Sequence, residues 1–111
     1  MYSNIVHNMK RVSVGVHNGD FHADDCLSVY FLKLLYDVAS VERTRDKEVL
    51  DKCDIVVDVG DVFDPSKMRF DHHQRGFCEY YEHSDVLLCG AGLLFREYGE
   101  QIISQAVKAI N

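Results

Sequence analysis

The run Asp54-Ile55-Val56-Val57-Asp58-Val59-Gly60 is apolar on both faces, which limits the folds open to this chain. A half-exposed strand alternates polar and apolar residues. An unbroken Ile-Val-Val is expected of a central parallel strand covered by helices on both sides. Asp58 interrupts the run near its end, where a carboxylate is expensive to bury unless it is paired or bound to a cation. One segment thus predicts an α/β sheet and a charged site at the sheet's carboxyl edge.

The remaining patterns agree. Residues 11–17 (RVSVGVH) alternate, with Val12, Val14 and Val16 on one side, and predict a strand ending at His17. Asn18-Gly19-Asp20 signals a turn. Asp24 or Asp25 can then cap a helix whose apolar positions, Leu27, Tyr30, Phe31, Leu34 and Leu35, recur at helical spacing. Residues 38–44 read as a short strand and 46–52 as a short polar helix. Residues 63–66 read as a turn, and 67–71 as an extended piece leading into His72. Ser84 is a candidate cap for a helix reaching Tyr98, with Leu87, Leu88, Ala91, Leu94 and Phe95 inward and Gly99 as its stop. Ile102, Ile103, Ala106, Val107 and Ile110 repeat the helical spacing. The order predicts a three-layer α/β domain over residues 11–111, with a mostly parallel sheet and helices on both faces, after an N-terminal extension of residues 1–10. In such sheets ligands bind beyond the carboxyl ends of the strands, where His17 and Asp58 both fall.

Candidate ligands concentrate there. His17, His22 and Asp24 share one loop, and Asp71-His72-His73-Gln74-Arg75-Gly76 sets a carboxylate and two imidazoles beside a guanidinium. Hard oxygens, imidazole nitrogens and a planar cation suit divalent-metal chemistry on a phosphorylated substrate. His17, His22, Asp24, Asp58 and His72 are the candidate ligands, with Asp58 able to bridge two ions. Paired ions about 3.5–4 Å apart clamp the attacking and leaving oxygens of displacement at phosphorus and acidify a bound water. His73 is placed to touch phosphate or donate to the leaving oxygen, pointing away from His72 if the backbone is extended. Arg75 is placed to hold a phosphate oxygen. Asp71 is cast as the outer acceptor for an imidazole N–H. Simpler readings stand beside these: an HH pair is often two surface imidazoles, and Asp near a helix start caps it. His7 and His83 lack companions and read as structural or surface residues. Tyr80 and Tyr81, near Phe77, suit either a packing patch or base stacking.

Composition narrows the setting. A length of 111 residues, 47% hydrophobic, holds one domain with a real core. No segment resembles a membrane span, signal peptide or transit sequence. Cysteines 26, 53, 78 and 89 lack CxxC spacing, and at least three sit in apolar contexts. They are expected to be reduced, buried thiols in an intracellular protein. The net charge of −6 argues against a broad nucleic-acid-coating face, although carboxylates chelating cations would be neutralised locally.

The three motifs are familiar in their order. The run from Val14 to Asp25, the run from Asp54 to Pro65, and Arg69-Phe70-Asp71-His72-His73-Gln74-Arg75-Gly76-Phe77 closely resemble the Myg (melanocyte-proliferating-gene) family of the DHH phosphoesterase superfamily. Ala91-Gly92-Leu93 and Tyr98-Gly99 resemble the family's next segment. The resemblance implies a DHH-type parallel α/β domain with two Mn²⁺ or Mg²⁺ ions, held by the same five residues, with His73 and Arg75 facing phosphate. It also implies a 3′→5′ exoribonuclease acting on RNA in nucleus, cytoplasm or mitochondrion. Family proteins are considerably longer, with a further acidic motif and a second lobe over the site. This chain is therefore expected to be a truncated N-terminal portion with an open cleft, completed by a homodimer or another partner. A pyrophosphatase or small nucleotide phosphatase is the alternative enzyme. A non-catalytic metal- or nucleotide-binding module is the alternative of another class.

Overall fold

The computed structural model describes residues 9–80, 84 and 86–110. Most of the N-terminal extension, with His7, and also Tyr81, His83 and Asn111, lie outside the described residues.

Strand β1 (Arg11–Val16) lies within a five-stranded sheet. On one side it pairs in parallel with β2 (Asp37–Arg43), from Arg11 opposite Asp37 to Val16 opposite Arg43. On the other side β3 (Ile55–Val57) joins it in parallel, setting Val14 opposite Ile55. Then come β5 (Arg69–Phe70), also parallel, and β4 (Phe63–Asp64), antiparallel at the edge. The order is β2-β1-β3-β5-β4, and a 3-10 turn over Pro65–Lys67 leads into β5.

Alternation along the strands divides the core in two. Val12, Val14, Val16, Ile55, Val57 and Phe70 form one layer with Leu32 of helix α1 (Ala23–Leu35) and Leu93 and Leu94 of helix α3 (Gly90–Ile110). Val56 and Val59 form the other with Leu50 and Cys53, at and just beyond the end of helix α2 (Lys47–Lys52). Helices therefore cover both faces, as expected. Gly15 belongs to the second layer. A Cβ there would lie 2.8 Å from Cδ2 of Leu50 and 3.2 Å from Sγ of Cys53, so a bare backbone sets how closely α2 approaches the sheet.

Several boundaries differ from expectation. The buried seam of α1 is Asp25, Ser28 and Leu32, while Leu27 and Tyr30 are exposed. The helix is rotated so that Asp25 points inward, and the small Ser28 permits close packing. Helix α3 starts at Gly90 rather than after Ser84. Leu87 instead pairs with Tyr80 in an isolated bridge, and the Ser84 hydroxyl accepts a local bond from the Val86 N–H. The break expected at Gly99 is present one residue earlier: Tyr98 is non-helical (φ −130°, ψ 18°) and divides α3 into two segments, the second running to Ile110. The Tyr98 hydroxyl reaches Sδ of Met68 at 3.3 Å, and its ring meets Phe70 edge-on, which accounts for the kink. Of Ile102, Ile103, Val107 and Ile110, only Ile102 is buried. All four cysteines are free thiols, but Cys53 alone is buried; Cys26, Cys78 and Cys89 are exposed because their neighbours, not they, face the core.

Gly15→Val should lower folding stability by about 1–3 kcal/mol through overpacking. Denaturant melts would show the loss, with Leu50→Ala recovering part of it in the double variant; equal losses with and without Leu50 would contradict this account of the α2 contact.

Candidate metal centre

Strands β1, β3 and β5 run in parallel, so the residues following each emerge on one edge of the sheet. His17 follows β1, Asp58 follows β3, and Asp71, His72 and His73 follow β5. The turn that redirects each chain shapes the site. Asp58 has φ 60° and Asp61 φ 59°, a left-handed backbone that costs non-glycine residues on the order of 1–3 kcal/mol. That turn ends β3 earlier than expected and keeps the Asp58 carboxylate over the sheet edge, only 4% exposed.

Asp58 faces two imidazoles. Its Oδ2 lies 3.4 Å from Nε2 of His17, and its Oδ1 lies 2.8 Å from Nε2 of His72. Each of these nitrogens has a second carboxylate beside it: Asp25 Oδ2 at 3.0 Å from His17, and Asp24 Oδ2 at 3.2 Å from His72. The Nδ1 of His17 lies 2.9 Å from the Asn18 carbonyl. A carbonyl only accepts, so Nδ1 is assigned the proton. Nε2 is then left facing two carboxylates at once. A cation among these atoms would answer both carboxylates, and imidazole nitrogens with carboxylate oxygens are a suitable donor set for Mn²⁺, with the oxygens suiting Mg²⁺. The residues present fit a divalent metal. Asp58, Asp71, His72 and His73 also offer ligand atoms lying within 4.8 Å of one another.

Asp24 serves a second purpose. Its two oxygens accept the N–H groups of Gly90 (3.1 Å) and Ala91 (2.7 Å), capping α3 from 66 residues away in the chain. Burial opposes ionisation of Asp24, yet these amides hold its pKa below the usual carboxylate range. Asp58 is pushed the other way, by burial first and by the adjacent Asp24 charge second. Asp25 caps its own helix by accepting the His22 N–H at 3.0 Å, and like Asp24 it stays below its ordinary value despite burial. Both acids therefore cap helices, one near and one distant.

Asp71 is 1% exposed and fully engaged. Its Oδ1 accepts the His72 N–H (2.8 Å) and lies 2.7 Å from Nδ1 of His73, while Oδ2 accepts the Asp61 N–H (2.7 Å). His72 and His73 do not point apart: their ring centroids are 4.1 Å apart, because the chain leaves β5 after Phe70. His22 is exposed, with its ring 5.5 Å from that of His17.

A cleft of about 470 Å³ is lined by His17, His22, Asp24, Asp58, Asp71, His72 and His73, together with Arg45, Val59, Gly60 and Asp61. All five candidate ligands thus share one opening. Arg75 does not line it, since it sits in an exposed turn at residues 74–76. Arg45, just beyond β2, is the guanidinium on the cleft wall, tied to the carbonyl and side chain of Asn18. Sequence reasoning did not single out Arg45, and it offered Asp25 as a helix cap without placing it beside His17. The strand-end argument applied to β2 would have found Arg45, and the spacing of Asp25, Ser28 and Leu32 carried the signal for Asp25.

Comparison with known proteins now adds to the geometry. The MYG1 exonuclease family model, described as an uncharacterised protein family (UPF0160), matches residues 13–110. The chain belongs to the MYG1 family. It is 45% identical over 100 residues to a MYG1 protein of Dictyostelium discoideum, covering 87% of this chain and 30% of that one. It is 44% identical over 99 residues to a MYG1 protein of Caenorhabditis elegans (83% and 29%), and 43% identical over 100 residues to the MYG1 exonuclease of Homo sapiens (83% and 27%). The chain spans less than a third of the length of these MYG1 relatives. No solved structure matches it. Among the described residues, no helix is long and apolar enough to cross a membrane.

Asp24→Ala should destabilise the metal-free protein by about 1–2 kcal/mol, because the first amides of α3 lose their cap. Chemical denaturation in chelator checks this, and an unchanged midpoint would mean that Asp24 does not hold the helix.

Proposed function

We propose that this chain forms the metal-binding half of a divalent-metal phosphodiesterase, a 3′→5′ exoribonuclease that uses two Mn²⁺ or Mg²⁺ ions. The observation that carries this reading is the placement of Asp58 between His17 and His72, with a second carboxylate beside each imidazole. The name exonuclease on several relatives adds support.

His17, His22, Asp24, Asp58 and His72 would hold the ions. When bound, such ions supply a hydroxide from coordinated water and neutralise charge on phosphoryl oxygens. The protein's own groups do the rest. Asp71 fixes the His73 ring through Nδ1, which leaves Nε2 on the cleft side, 3.7 Å from Asp58 Oδ1, to bind phosphate or protonate the leaving oxygen. Arg45 takes a phosphate oxygen at the cleft wall, and Arg75 is exposed to a substrate extending past it. His22 and His73 stand open to solvent. Full activity therefore calls for a cover that excludes water, whether a second lobe, a second copy or another chain.

Protein prepared without chelator should bind two Mn²⁺ per chain and shorten a 3′-hydroxyl oligoribonucleotide from its 3′ end. Asp58→Ala and His72→Ala should each reduce that rate by more than about 100-fold, the upper end of what losing even an outer partner of a metal ligand does, with circular dichroism unchanged. Variants as fast as the parent would end the proposal. Metal uptake without turnover of RNA, pyrophosphate or mononucleotide would leave a binding module.

A further inference from the structure

A second groove adjoins the metal cleft on the face of the sheet covered by α2. Its volume is about 360 Å³, and the two share Arg45, Val59, Gly60 and Asp61 as a common wall. Its floor is apolar, made by Leu50, Val56 and Val59 with the half-exposed Val62 beside them. Its rim is cationic. Lys47 opens α2, Lys67 ends the 3-10 turn before β5, and Arg45 stands where the two cavities meet.

The cations differ in what they are free to do. Arg69 donates to five backbone carbonyls, those of Leu50, Cys53, Asp54, Lys67 and Met68, so it is a fixed piece of wall. Among the described residues, neither Lys47 nor Lys67 lies within ion-pair distance of a carboxylate. Asp51 and Asp61 also line the groove, against four cations. In a chain of net charge −6 this is a local reversal of sign.

We infer that this groove seats a nucleotide of a single-stranded oligonucleotide next to the one whose phosphodiester lies at the metal centre. The inference rests on the proposed phosphodiesterase reading and adds to it a second nucleotide position beside the metal cleft. An apolar floor suits the face of a base or ribose, and ammonium groups at the rim suit backbone phosphates. Pyrophosphate or inorganic phosphate would have no use for the floor. The groove therefore selects a chain of nucleotides over a small phosphate ester.

The test is fluorescence anisotropy with a labelled short oligoribonucleotide, with and without Mn²⁺, and competition by a nucleoside monophosphate. The parent protein should bind the oligonucleotide at least tenfold more tightly than the monophosphate. The Lys47→Glu, Lys67→Glu double variant should lose about tenfold of that affinity, and its slope of log affinity against log salt should fall by about 1.4, the value for two phosphate contacts on a single strand. If the parent binds and shortens the oligonucleotide while the double variant keeps both affinity and slope, the groove proposal is overturned and the phosphodiesterase reading survives. An equal loss for oligonucleotide and monophosphate would also overturn it, since that reports general attraction. If the parent neither binds nor cleaves, both readings fall.

Discussion

Asp58 leaves β3 in a left-handed conformation and carries its charge into a nearly closed space. The rest of the site answers that charge. A buried carboxylate is costly without partners, and here the partners are imidazole nitrogens that each face a second carboxylate as well. The cluster holds more oxygen charge than its two inner imidazoles can satisfy with single protons. Burial and the Asp24 charge both push Asp58 toward the neutral form. The strain in the Asp58 backbone is understandable as part of an arrangement completed by a divalent cation, which takes lone pairs from both residue types.

The sheet supplies the precision. His17, Asp58 and His72 come from distant parts of the chain, yet each stands just past a strand that is hydrogen-bonded in parallel to its neighbour. Their spacing is set by strand separation, which varies little. Side chains on rigid elements hold a site more accurately than side chains on long loops. Outer contacts then fix orientation: Asn18 for His17, and Asp71 for both His73 and the turn at Asp61.

Much of this was visible in the sequence because it depends on local pattern. Val12, Val14 and Val16 announce a strand by alternation, Ile55 to Val57 a central strand by the lack of it, and the strand ends place His17 and Asp58. Other features depend on long-range contacts that leave no local trace. The start of α3 is set by Asp24, far upstream, so Ser84 was a false cap. The rotation of α1 turns Asp25 toward Nε2 of His17 (3.0 Å) and Nη1 of Arg43 (3.5 Å) rather than burying its most apolar stripe, so Leu27 and Tyr30 were misplaced. Arg75 sits beside the histidines in sequence but on a turn that carries it away, whereas Arg45 arrives through sheet topology.

Asp24 gives this small domain an unusual economy. A single carboxylate anchors the longest helix by two of its lone-pair directions and presents itself to His72 by another. Gly90, where a side chain would press on the Asp58 backbone at 3.4 Å, allows the two to sit so close. The helix and the ion site thus have a common hinge pin. A cation held at Asp24 would therefore bear directly on the first segment of that helix, from Gly90 to the break at Tyr98.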